Sequence, residues 1–141
     1  MAIVLGADHA GYALKEFLKK ELENQHIRYK DVSPKMKAGD DYPDHAQKVA
    51  KAVSSGKADA GILVCGTGIG MSIAANRFKN VRAAHVCNKK DTILARKHNN
   101  ANILCLGGRT TGKKDAKEIL KAWITTPFEG GRHERRVKKL K

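Results

Sequence analysis

One cysteine stands between an apolar run and a glycine-rich turn, where its thiol is well placed to do chemistry. Cys65 directly follows residues 61–64, a short apolar run that is typical of a buried strand. The turn 66–70 reads Gly-Thr-Gly-Ile-Gly, and residues 72–78 have the pattern of an amphipathic helix. A strand, a glycine turn and a helix in this order point backbone N–H groups at an anion, and the same groups would stabilise a thiolate.

Three interpretations of this turn are open from the residues alone. The simplest is a tight strand-to-helix turn that contains a buried structural cysteine. A dinucleotide site is disfavoured, because Met71 occupies the position of the third glycine and no carboxylate lies near residue 85, where a ribose-binding acid is expected. The third interpretation is an oxyanion cradle beside a nucleophile or base.

The composition is that of one globular domain spanning residues 1–141. Apolar residues make up 41% of the chain, and no run among them is long enough to cross a membrane. The first residues lack the features of a signal peptide, so we expect a cytoplasmic protein. The cysteines at 65, 87 and 105 are odd in number and lack metal-type spacing, which favours reduced thiols over disulfides or a metal site.

A formal net charge of +14 admits two kinds of partner, nucleic acid and small anions such as phosphates. Lysines along the helical stretches, such as Lys15 and Lys19, are interpreted mostly as solvated helix faces. The densest basic cluster is residues 132–139. A nucleic-acid-binding module is the less favoured alternative, because aromatic residues for base stacking are few and no helix-turn-helix or RNA-recognition pattern is present.

Strand and helix patterns alternate along the whole chain. The predicted strands cover residues 2–6, 27–32, 61–64, 82–86 and 102–106, and the predicted helices cover 12–25, 43–55, 72–78, 89–98, 115–123 and a last piece from about 131. This alternation predicts an α/β, Rossmann-like three-layer sandwich: a parallel sheet of about five strands with helices on both faces.

The carboxyl ends of parallel strands meet at one edge of a sheet, where ligands bind. Asp8 and His9 follow the first predicted strand, Cys65 ends the third, and Arg109 follows the fifth. These side chains should therefore share one rim, although no single motif among them would be convincing alone.

Several of the polar residues have simple structural explanations. Asp8 could cap the first helix, and His98 with Asn99 could form an ordinary helix end. Arg132 and Arg136 are four apart and share one helix face, which could be solvated or could turn toward a ligand or a neighbouring subunit. The other histidines are interpreted as surface or structural residues: 26, 45, 85 and 133.

Six motifs in order resemble the type B ribose-5-phosphate isomerases and their relatives, the galactose-6-phosphate and allose-6-phosphate isomerases. The motifs are residues 6–11, 41–43, 65–70, 98–99, 107–109 and 129–136. The resemblance runs nearly end to end. It implies a homodimer or a dimer of dimers with active sites at the subunit interface, and a C-terminal helix that reaches the neighbouring subunit. It also implies aldose–ketose isomerisation through an enediolate, without metal or cofactor.

The same resemblance implies roles for individual residues in proton transfer. Cys65 would be the general base that moves the proton between C1 and C2. Thr67 would help a proton to pass between O1 and O2, and His98 would assist opening of the furanose ring. Amides for the enediolate oxygens would come from the turn: Gly66, Thr67, Gly68, Ile69 and Gly70.

Other residues would bind the sugar phosphate. Asp8 would contact the ring hydroxyls, and Asn99 would bind hydroxyls or the carbonyl oxygen. The phosphate would be held by His9, Arg109, Arg132 and Arg136, some of them from the neighbouring subunit. The expected reaction interconverts ribose 5-phosphate and ribulose 5-phosphate, with a hexose 6-phosphate (allose or galactose) as the alternative substrate.

The sequence departs from the family pattern at a few positions. The loop 33–39 is more basic than expected, and Ser33 stands where glycine is common. Asn100 replaces a frequent aspartate. Some members of the family use a glutamate just beyond the cysteine position as base, but residues 68–71 contain no carboxylate, so Cys65 is the candidate base here.

Overall fold

Five short strands form one parallel sheet in the computed structural model, which describes residues 1–140. The strands are β1 (Ile3–Ala7), β2 (Tyr29–Asp31), β3 (Ala60–Cys65), β4 (Ala83–His85) and β5 (Ile103–Gly107). The helices are α1 (Tyr12–Asn24), α2 (Tyr42–Ser54), α3 (Ile69–Ala75), α4 (Lys89–Asn99), α5 (Lys113–Thr125) and α6 (Arg132–Lys138). No helix within residues 1–140 has the length and apolar character needed to cross a membrane.

The strand order is β2-β1-β3-β5-β4, which confirms the predicted parallel α/β sheet. Strand β3 lies at the centre, between β1 and β5. The register places Ala7 beside Val64, and Cys65 beside Gly107. The three central strands therefore end at the same level, and the segments that follow them emerge side by side.

Both faces of the sheet are covered by helices, as predicted. On one face, α1 and α5 pack leucine and tryptophan side chains on the sheet, among them Leu18, Leu22 and Trp123. On the other face, α2 and α3 contribute Val49, Val53 and Met71. Because both faces are buried, the central strands are nearly continuous apolar runs, as is usual for parallel sheets.

Two element boundaries differ from the prediction for local reasons. Strand β2 begins only at Tyr29, because the backbone N–H of Ile27 donates to the Leu22 carbonyl at 2.9 Å and so belongs to the end of α1. Helix α3 begins at Ile69 instead of residue 72. Gly68 has a left-handed backbone (φ 82°), which lets the helix start directly after it.

Lys15 was expected on a solvated helix face, and this is wrong. Its side chain is completely buried, and its ammonium group donates to Asp31 Oδ2 at 2.8 Å and to the Ser33 carbonyl. Lys19 donates to the same Asp31 oxygen at 2.9 Å. Burial raises the pKa of the Asp31 carboxyl group, but the hydrogen bonds from Lys15, Lys19 and the Ser33 N–H outweigh it and lower the pKa. This network ties the start of the loop after β2 to helix α1.

Candidate active site

The turns after β1, β3 and β5 touch one another at the carboxyl edge of the sheet. A Cβ atom on Gly11 would lie 2.2 Å from the Val64 carbonyl oxygen, so only glycine permits this approach. Between the other two turns, the Gly108 N–H donates to the Cys65 carbonyl at 2.7 Å, and the Arg109 N–H donates to the Gly66 carbonyl at 3.0 Å. The predicted rim is therefore formed within one chain.

Cys65 is the last residue of β3 and lies at the bottom of this site, where it is only 5% exposed. The backbone N–H of Gly68 points at the sulfur, with 3.1 Å between N and Sγ. Such a bond stabilises a thiolate, because the sulfur accepts more strongly when it is ionised. A buried thiol with a fixed amide donor is a suitable base for abstracting a proton from carbon.

The glycine turn leaves amide hydrogens free for a ligand. The N–H groups of Gly66, Thr67 and Gly70 donate to no acceptor within residues 1–140. The Ile69 N–H donates to Thr67 Oγ1 at 3.2 Å, which fixes the hydroxyl group beside the turn. Free amides near a thiol could hold the oxygens of an enediolate, in which negative charge develops.

The other two turns supply an acid, an imidazole and a guanidinium group. Asp8 is buried and uses Oδ1 to accept the Gly11 N–H at 3.0 Å, so it closes its own turn and leaves Oδ2 for a ligand. His9 and Arg109 are exposed. A Cβ atom on Gly66 would lie 3.3 Å from an Arg109 guanidinium nitrogen, which places that cation over the glycine turn.

These groups line an open cleft of about 480 Å³. Two of its walls were not predicted from the sequence, Tyr42 at the start of α2 and Ile73 on α3. The tyrosine ring packs on the turn so closely that a Cβ atom on Gly70 would lie 2.5 Å from it. Tyr42 belongs to the motif 41–43, and that position was the only sequence signal for its part in the site.

Four of the candidate site residues do not line this cleft. Helix α4 follows the carboxyl end of β4 and leads to the start of β5, so His98 and Asn99 at its end lie toward the opposite, amino edge of the sheet and do not line the cleft. Helix α6 packs against α4. The segment that leads into α6 is tied to the end of α4, since the Glu129 N–H donates to the Lys97 carbonyl at 3.1 Å. Arg132 and Arg136 on α6 thus accompany His98 rather than Cys65.

This second group is built around a pair of stacked imidazole rings. His98 and His133 have ring centroids 4.2 Å apart and planes inclined by 12°. Burial, together with the neighbouring His98 and Arg132, lowers the pKa of His133. Glu129 lies 3.9 Å from His133 Nε2, and the three side chains could offer ligands to a metal. However, the lone pairs of parallel rings do not converge on one point, so this arrangement does not favour a shared ion.

A larger cavity of about 800 Å³ also lies on this side of the molecule, with Asn99, Arg82 and Val137 among its walls. It contains no cysteine and no free catalytic acid. Of the other two thiols, Cys105 is completely buried in the core, and burial raises its pKa. Cys87 is exposed and lies outside the cleft. The carboxyl-edge cleft with Cys65 is therefore the better candidate for catalysis.

Comparison with known proteins shows the family to which the chain belongs. A family model described as Ribose/Galactose Isomerase matches residues 3–140. The chain belongs to the ribose/galactose isomerase family. The match includes all six motifs that carry the resemblance, which is thereby confirmed.

Relatives in this family match the chain from end to end. Ribose-5-phosphate isomerase B of Escherichia coli is 41% identical over 138 residues, which are 98% of this chain and 93% of that protein. A putative sugar phosphate isomerase of Bacillus subtilis is 43% identical and covers 99% of this chain and 95% of its own length.

Two solved structures have the same fold. Ribose-5-phosphate isomerase B of Clostridium thermocellum superposes with a TM-score of 0.97 at 44% identity, covering 99% of this chain and 95% of that one. The enzyme from Mycoplasma genitalium, solved with bound ribulose-5-phosphate, has a TM-score of 0.95 at 41% identity, covering 99% and 93%.

Proposed function

We propose that this protein interconverts ribose 5-phosphate and ribulose 5-phosphate, with Cys65 as the general base. The observation that carries the proposal is the buried Cys65 sulfur, which accepts the Gly68 N–H at 3.1 Å beside amides that have no acceptor within residues 1–140. Relatives that are named ribose-5-phosphate isomerase B, one of them solved with bound ribulose-5-phosphate, support the choice of substrate.

The chemistry needs a base and a means of holding negative charge. In the open-chain aldose, the Cys65 thiolate removes the proton from C2, and electrons move onto the carbonyl oxygen at C1. The free amides of the turn then hold the enediolate oxygens; such fixed donors are worth about 3 kcal/mol each. Thr67 Oγ1 passes a proton between O1 and O2. The thiol returns its proton to C1, which gives the ketose and restores the thiolate.

The phosphate group serves as a handle that positions the reacting carbons. His9 and Arg109 line the cleft that holds Cys65, and an arginine fork suits phosphate oxygens. Asp8 Oδ2, which has no hydrogen bond within residues 1–140, would contact the sugar hydroxyls.

We further propose that a second copy of the chain completes each site. The family resemblance implies roles in ring opening and phosphate binding for four residues that do not line the cleft: His98, Asn99, Arg132 and Arg136. Large apolar side chains beside the cleft are exposed, with Ile69 at 51% and Ile73 at 57%. A neighbouring subunit that covers these side chains would bury apolar surface and could bring its own α4 and α6 ends to the cleft.

The first experiment is the conversion of ribose 5-phosphate by the purified protein, with a chelator present and no cofactor added. Formation of ribulose 5-phosphate is the expected result. Allose 6-phosphate and galactose 6-phosphate are run in parallel, and faster turnover of either would reassign the substrate to a hexose. No turnover of any of the three sugars by folded protein would refute the isomerase proposal.

The role of Cys65 is tested by replacing it with alanine. Without the base we expect turnover to fall by at least about a thousandfold, while ribulose 5-phosphate still binds. Cys87→Ser is the matched control, because this thiol is exposed and outside the cleft, and it should keep the wild-type rate. A Cys65→Ala protein that turns over normally would contradict the mechanism.

A further inference from the structure

One carboxylate holds His9 by two bonds. Asp40, at the end of the loop after β2, accepts the backbone N–H of His9 through Oδ1 at 2.8 Å, and the same oxygen lies 3.0 Å from the ring Nδ1. An ionised carboxylate can only accept hydrogen bonds, so Nδ1 carries the proton. Nε2 is then the ring nitrogen left for the cleft that His9 lines.

The second oxygen of Asp40 is held by another histidine. His45 Nε2, in the first turns of α2, lies 2.7 Å from Asp40 Oδ2. The other nitrogen of this ring, Nδ1, is buried and has no partner within residues 1–140. An ionised carboxylate only accepts hydrogen bonds, so His45 donates to Asp40 through Nε2.

The three side chains therefore form a directed chain of hydrogen bonds from α2 to the cleft. Burial raises the pKa of the Asp40 carboxyl group, but the bonds from the His9 backbone, the His45 ring and the His9 ring outweigh it and lower the pKa. Asp40 is thus an ionised acceptor for both rings near neutral pH. Neither Asp40 nor His45 lines the cleft.

We propose that Asp40 and His45 are positioning residues, which orient the His9 imidazole so that Nε2 points at the phosphate group of the substrate. They act through His9 and do not touch the substrate. Fixing the ring before the ligand arrives removes the entropy cost of ordering it on binding. This inference rests on the proposed function for the identity of the ligand as a sugar phosphate.

The first test is Asp40→Asn, which keeps the shape of the side chain and removes its charge. We expect KM for ribose 5-phosphate to rise about tenfold with kcat within about twofold, because a charged hydrogen bond that serves binding is lost. Asp44→Asn is the matched control: it makes the same charge change one residue from His45, on an exposed side chain. It should leave both constants unchanged.

The second test asks whether the effect passes through His9. In a His9→Ala background, Asp40→Asn should raise KM by less than about twofold, because residues that act through one group are not additive. His45→Gln, which keeps an N–H donor, should stay near the wild type, whereas His45→Phe should raise KM. An equal effect of Asp40→Asn with and without His9 would overturn the proposal.

A spectroscopic readout separates this inference from the proposed function. Nitrogen NMR shifts of the His9 ring should report protonated Nδ1 in the wild type and a changed proton position in Asp40→Asn. Titration with inorganic phosphate should shift the Nε2 signal of the wild type at lower phosphate concentration than that of Asp40→Asn. If ribose 5-phosphate is not turned over but these shifts occur, only the choice of substrate fails. If the ring signals are the same in both proteins, the positioning role is refuted.

Discussion

If each site is shared between two subunits, two inactive variants should restore activity when their chains are combined. The first variant is Cys65→Ala, which removes the base from the cleft. The second is the double variant Arg132→Ala with Arg136→Ala, which removes the arginines on α6. Each variant alone has the same defect at every site. In a mixed dimer, one site receives its cleft from the arginine variant and its arginines from the cysteine variant, so that site is intact.

The fraction of the wild-type rate that should return follows from the way in which the two chains assemble. Cys65 lines the cleft and the two arginines on α6 do not, so in a shared site each would come from a different chain. Random assembly of equal amounts gives each site an intact cleft with probability one half, and intact arginines with probability one half. We therefore expect about a quarter of the wild-type rate, in a dimer or in a dimer of dimers.

The assay unfolds the two proteins together, refolds them and measures ketose formation from ribose 5-phosphate. The control combines Cys65→Ala with Arg109→Ala, both of which lie in the cleft of a single chain. Every cleft in that mixture has one defect, so the rate should not recover. No recovery in the first mixture, or equal recovery in both mixtures, would refute the shared site.

The buried charges behind the site yield two further predictions, both measured by urea unfolding. Lys15→Ala should lower the free energy of unfolding by about 3 kcal/mol, because it leaves a carboxylate of the core network short of a partner; Lys20→Ala on the exposed face should cost less than about 0.5 kcal/mol. A similar small cost for both would contradict the buried pair. The pKa of Asp31 is lowered in the folded state from its ordinary 3.8, so the unfolded chain takes up the proton first as the pH falls. The stabilisation from Asp31 is therefore complete above about pH 4 and is lost as the pH drops through the lowered pKa. Asp31→Asn should flatten that loss, and an unchanged slope below pH 4 would contradict it.

The order of strands and helices could be predicted because each element carries a local pattern. The apolar run before Cys65 and the glycines after it are adjacent in the chain, so they predict a strand, a turn and a helix without knowledge of the fold. The rule that parallel strands end at one edge then brings Asp8, His9 and Arg109 to the same rim. The structure confirms that rim within one chain.

Contacts between distant segments could not be read in this way. Lys15 has the pattern of a surface lysine, and its burial depends on Asp31 and Ser33 lying above α1. His45 was interpreted as a surface or structural residue, because its partner becomes visible only when the loop after β2 folds back to His9.

The sequence by itself determined the fold class, the family and the rim that holds Cys65, since these depend on short patterns and on the direction of parallel strands. Tertiary structure alone decided that His98 and Arg132 stand at the far edge from Cys65, because α4 must run back across the sheet before β5 can begin. It also decided that Asp40 contacts the His9 ring and that His45 contacts Asp40. Hydrogen bonds between segments that are far apart in the chain leave no periodic trace in the sequence, and they appear only when the chain is folded.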